Sequence, residues 1–138
     1  MTELRTVKKS LGFAALCAGL IALPLAAQAG NASTEIKTAA QHAHFSANSK
    51  TIEMVHTHMH HALNCLVGPG GDGFDKTALN PCKNSGNGAI PDTTDAATKK
   101  KLENIAKALR LGLADDDLNS AQNMATSVEV MLKHIDMK

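Results

Sequence analysis

The chain has no Trp, no Tyr and only three Phe in 138 residues, and one of these, Phe13, lies in its apolar first segment. The aromatic platforms on which single-stranded nucleic acids stack are therefore missing. Excess charge is missing too. Setting aside residues 1–29 removes three of the 14 Lys and Arg and one of the 13 acidic residues, leaving 11 against 12 and a net charge of −1. Such a balance gives no electrostatic grip on nucleic acid or anionic lipid. The chain also lacks Cys-x-x-Cys-His for covalent haem, a phosphate-cradling loop before a Lys, and a nucleophile elbow. With no general base set beside a nucleophile, an enzyme is not expected.

Long apolar runs are absent as well. The longest reaches from Leu11 to Leu25, interrupted by small residues and Pro24. At about 15 residues it falls short of the roughly 20 that a membrane-spanning helix needs. Basic residues Arg5, Lys8 and Lys9 precede it and Ala27-Gln28-Ala29 follows. These are the three parts of a secretory signal peptide over residues 1–29, with cleavage expected after Ala29 and no anchor retained. Cys17 does not read as a lipid attachment point, because Leu16 stands where such a signal wants Gly, Ala or Ser. The expected location is periplasmic or secreted.

Residues 30–138 have the size of a single domain. Its apolar residues are mainly Ala, Leu, Ile, Val and Met, a composition that suits packed helices better than strands. The expected fold is all-α: a small antiparallel bundle of three or four helices with one long disulfide-tied loop. Cys65 and Cys82 remain after processing, and an oxidising compartment favours a bond between them across 16 intervening residues.

Helix is expected over 34–66, capped at Ser33 or Thr34 with Glu35 in the first turn. Ile52, Val55, Met59, Leu63 and Leu66 recur at helical spacing, and Ser46, Asn48 and Ser49 offer a place to break. Residues 67–94, rich in Gly, Pro and Asn, read as loop. A helix over 95–112 carries Leu102, Ile105 and Leu109 on one face, with Gly112 placed to end it. A last helix over 116–136 starts in the acidic run Asp115-Asp116-Asp117 and buries Leu118, Ala121, Ala125, Val128, Leu132 and Ile135.

Six of the seven histidines lie between residues 42 and 61, where an even spread would put about one. On a helix Glu53, His56 and His60 share one stripe, and Met54, His58, His61 and Cys65 share another. Imidazoles one turn apart can hold a single transition-metal ion, with a carboxylate or thioether completing the set. The leading ligand pair is His56 and His60. Glu53, His58 and His61 are further ligands, and His42, His44, Met54 and Met59 extend the list. Glu53-x-x-His56 supplies half of a di-iron pattern, but Glu129 has no histidine three residues on, and the set stays incomplete. Gly70-Gly71-Asp72-Gly73-Phe74-Asp75 is similar to one calcium-binding nonapeptide repeat, which needs stacked copies to work and here reads as a turn.

With a signal segment, a short helical mature chain and histidines along helix faces, the sequence resembles the small His-rich periplasmic metal-binding proteins of proteobacteria across 33–66 and 95–138. That resemblance implies buffering or delivery of copper, nickel or zinc outside the inner membrane, with an envelope metal-handling protein as partner. Members of the group repeat His along the whole chain and lack cysteine, so the single cluster here favours one or two sites. Two rival readings predict different behaviour: a non-catalytic envelope protein recognising partners through the 67–94 loop, and noncovalent haem binding through His and Met. Periodicity leaves the oligomeric state open.

Overall fold

In a computed structural model, which describes residues 30–135, the chain folds into five helices with no strand among the described residues: α1 Ala32–Ala47, α2 Ile52–Val67, α3 Ala89–Asp92, α4 Ala96–Leu113 and α5 Leu118–Lys133. The signal segment expected over residues 1–29, with its expected cleavage point at Ala29, lies outside the described residues. Each long helix starts where a short polar side chain accepts a hydrogen bond from a first-turn N–H. Asn31 accepts from Thr34, Thr51 from Met54, Asp95 from Thr98 and Asp117 from Ser120. Each such cap is worth about 1 kcal/mol. The cap of α1 is thus Asn31, not Ser33 or Thr34, and the helix begins two residues earlier than expected.

The break expected at Ser46, Asn48 and Ser49 is real. Asn48 closes α1, its Nδ2 donating to the His44 carbonyl at 2.8 Å, and Thr51 opens α2. The two helices fold back on each other. Ser46 Oγ donates to the Val55 carbonyl at 2.8 Å, Phe45 meets His58 and His42 meets His61, a register that only an antiparallel hairpin gives. Buried Ala39, Ala40 and Ala43 on α1 let the helices approach closely. α1 packs on α2 and α5, α4 packs on α2 and α5, and Met59, Leu63, Leu66, Leu102, Leu109, Val128 and Leu132 fill the space between. No helix among the described residues is long and apolar enough to cross a membrane.

Gly112 does not end α4. The helix runs on to Leu113, because Gly112 is buried against Met59 and Met124, where it lets two helices come close. The last helix begins at Leu118 rather than 116 and ends at Lys133.

The Cys65–Cys82 disulfide forms as expected and ties α2 to the loop. The loop also contains α3, a single helical turn, and buried polar groups hold it. Asn64, fully buried, donates from Nδ2 to the carbonyls of Asp75 (2.9 Å) and Leu79 (3.2 Å) and accepts the Asp75 N–H (2.9 Å). Glu35, in the first turn of α1 as expected, is fully buried, and its Oε1 accepts the Gly88 N–H at 2.9 Å. Burial pushes its carboxyl up to about 7, the Gly88 bond opposing and the neighbouring Asp92 carboxylate reinforcing the shift.

Candidate metal centre

The α1–α2 hairpin sets residue 42 opposite residue 61, so imidazoles from the two helices meet on its flank. His42 from α1 and His58 and His61 from α2 each present a ring nitrogen, and the three donor atoms lie within 4.8 Å of one another. His58 and His61 are three residues apart, on one face of α2. Ring centroids are separated by 5.5 Å for His42 and His58, 5.0 Å for His42 and His61, and 5.5 Å for His58 and His61. Phe45, one turn after His42, closes one side with centroids 5.6 Å from His42 and 5.5 Å from His58.

The Nδ1 atoms of His42 and His58 are 3.3 Å apart, so one carries a proton that it donates to the other. The same separation suits a metal ion. Two imidazole nitrogens on a tetrahedral zinc, each at about 2.0–2.1 Å, stand about 3.3 Å apart.

Electrostatics favour the neutral, ligating form of all three rings. Burial, followed by the neighbouring His61 and His58, lowers His42 to about 4. Burial also lowers His58, and burial together with His58 and His60 lowers His61. A neutral imidazole has a lone pair for a metal, whereas an imidazolium does not.

Compared with protein-family models, with curated proteins and with solved structures, the chain finds no match. The reading of this centre rests on its own geometry.

The other sequence candidates occupy different positions. His56, of the leading pair, bonds through Nε2 to the Asp115 carbonyl at 3.0 Å, and His60 Nδ1 lies 3.6 Å from Asp75 Oδ2. These two histidines thus reach toward the α4–α5 turn and toward the disulfide loop. His44 pairs with Glu129, Nδ1 to Oε1 at 3.2 Å, and the Lys133 ammonium on the same carboxylate holds Glu129 below the usual range. Glu53 and Met54 are exposed, and Met59 is fully buried. Among the described residues, His42, His58 and His61 form the one group of three His, Cys, Asp or Glu side chains whose donors converge. The second stripe, with His58 and His61, therefore joins the centre. His42 takes the principal place that sequence reasoning gave to His56 and His60. The signal that finds it is the chain break at 46–49, because a hairpin closed there sets 42 opposite 61.

Proposed function

We propose that this chain is an exported, disulfide-stabilised helical protein that binds a transition-metal ion through His42, His58 and His61, for buffering or delivery outside the inner membrane. The observation that carries this reading is the convergence of three neutral imidazole donors from two helices onto a space of metal size. Imidazole is a borderline donor that suits copper, nickel and zinc, and intrinsic affinity should follow the order in which Cu(II) exceeds Ni(II) and Zn(II). The disulfide supports a non-reducing compartment. That compartment agrees with the export signal read at residues 1–29 and with the resemblance to His-rich periplasmic proteins. The haem reading has less support, since the His42 and His61 rings already touch edge to face and leave no slot for a porphyrin between them.

The ion does not require catalysis to account for the site. It cross-links α1 to α2, so binding adds to stability according to the ligand's concentration relative to its Kd. The test is calorimetric titration of the disulfide-intact mature domain with Cu(II), Ni(II) and Zn(II), beside a triple variant His42→Ala, His58→Ala and His61→Ala. One ion bound with a Kd below about 1 μM, equivalent to about −8 kcal/mol, and lost in the triple variant supports the assignment. Equal affinity in a variant of unchanged helix content overturns it.

A further inference from the structure

The three histidines supply three donors, one fewer than a four-coordinate ion takes, and the groups around them are turned elsewhere. His44 is held by Glu129, His56 by the Asp115 carbonyl and His60 faces Asp75. The nearby carboxylates are engaged in the same way. Glu129 accepts from Lys133, and Asp75 accepts from the Thr77 hydroxyl and the Thr77 and Ala78 N–H groups. Asp115 accepts from Ser120 and from the Asp117 N–H. Glu53 sits about 140° around α2 from His58, at 100° per residue. The three imidazoles are only partly buried, so the side of the group away from the helix seam is open to solvent. Phe45, 40% exposed, lies against two of the three rings, and it has no donor atom.

Building on the metal-binding reading, we propose that the ion held by His42, His58 and His61 keeps one coordination position for a small external anion, with Phe45 forming the wall that limits its size. Two physical arguments converge on this. Zinc and similar ions held by three protein ligands complete a tetrahedron with a solvent-derived or substrate ligand, whereas structural sites close with a fourth side chain. Three neutral imidazoles also leave the full double charge of the ion uncompensated, and in a partly desolvated setting that charge attracts an anion. An apolar ring beside the vacant position excludes bulky ligands and cannot compete for the metal. An ion held this way exchanges by ligand substitution at the open position, without unfolding the hairpin, as buffering or delivery requires.

Co(II) serves as the spectroscopic probe. The Co(II)-loaded mature domain is titrated with azide and, separately, with benzoate, and the visible d–d bands are followed in the wild type and in Phe45→Ala. The expected result is a saturable shift with one azide per Co(II) in both proteins. Benzoate, titrated at saturating Co(II), binds the wild type weakly and Phe45→Ala at least about tenfold more tightly. Bands that do not move with azide, while Co(II) binding survives and depends on His42, show that the chain itself fills the fourth position and overturn the proposal. Equal benzoate affinity in the two proteins overturns the role of Phe45. Failure of Co(II), Cu(II) and Zn(II) to bind at all removes the metal-binding reading, and the proposal with it.

Discussion

Glu35 is a buried group whose titration should make stability fall as pH rises, and replacing it with Gln should remove that contribution. The folded protein holds the Glu35 proton up to about pH 7, whereas the ordinary value is 4.5. Below pH 4.5 the proton is bound in both folded and unfolded states and the group has no effect. Between 4.5 and 7 the unfolded chain releases it first, so folding loses about 1.4 kcal/mol per pH unit and about 3 kcal/mol in all; above 7 the loss is complete. His42 titrates in the opposite sense. Its value of about 4 lies below the ordinary 6.5, so the folded state resists its protonation and stability falls as pH drops through that interval. Because His42 is present in both proteins, the difference between Glu35→Gln and wild type isolates Glu35. The amide keeps an oxygen for the Gly88 N–H and has an N–H to offer Asp92. The variant should match the wild type near pH 5 and exceed it by about 2–3 kcal/mol at pH 8, or roughly 10–20 °C in Tm. Without Trp or Tyr the assay is urea unfolding followed by far-UV circular dichroism. A stability difference that is the same at pH 5 and pH 8 refutes the reasoning.

Asn64→Ala strips three hydrogen bonds from the disulfide loop and should cost about 2–4 kcal/mol, with amide exchange at residues 75–79 rising first in mass-spectrometric measurements. Gly112→Ala should stay within about 1 kcal/mol of wild type in thermal melts, because the gain in helix propensity offsets a crowded Cβ. Its nearest neighbours are the flexible ends of Met59, at 2.7 and 2.9 Å, and Met124 Cγ at 3.1 Å. Gly112→Leu overfills the same seam and should destabilise by about 1–3 kcal/mol. His56→Ala with His60→Ala should leave the affinity for Cu(II) unchanged in calorimetry, whereas His42→Ala alone should weaken it at least about tenfold. Reducing the disulfide should lower stability by roughly 3 kcal/mol in chemical denaturation, with the helices still formed.

Much of the fold is readable from residue periodicity because helices announce themselves locally. The stripe Val55, Met59, Leu63 and Leu66 is buried as its spacing requires, and so are Ala121, Ala125, Val128 and Leu132. Asp95 and Asp117 cap helices because an acidic side chain before a helical run has few better uses. What periodicity misses depends on neighbours distant in sequence. Glu35 looks like an ordinary first-turn acid until the loop residue Gly88 is folded over it. Gly112 looks like a helix terminator until Met59 fills the space where its side chain would be. The histidine group is legible only in part for the same reason. Helical spacing identifies His58 and His61 as neighbours, but His42 joins them only through the pairing of two helices, a relation that no single-helix stripe contains.

The division of the histidines follows from the position of α2, which has packed neighbours on several sides. Its buried face carries Val55, Met59 and Leu63 into the core, and Asn64 and Cys65 anchor the disulfide loop. His56 meets the α4–α5 turn through Asp115 and His60 meets the loop through Asp75, so both lie on flanks where the chain returns to the helix. The flank facing α1 is the one left for His58 and His61, and there the neighbour is an alanine-lined helix carrying His42. α1 is fixed at its other end as well, since the Asn31 N–H donates to the Ser85 carbonyl at 2.8 Å and Glu35 accepts from Gly88. The loop that makes those bonds is pinned to α2 by the disulfide. α1 and α2 are therefore joined at both ends of their contact, by the 48–51 turn at one end and by the disulfide loop at the other. This double fixation limits sliding between the helices and sets the separation of His42 from His58 before any ion arrives. An arrangement fixed in advance loses less conformational freedom on binding than three side chains gathered from mobile segments, and affinity rises accordingly. On this argument the disulfide belongs to the proposed metal centre as much as to the fold, because cutting it frees one end of the hairpin whose register holds the three imidazoles together.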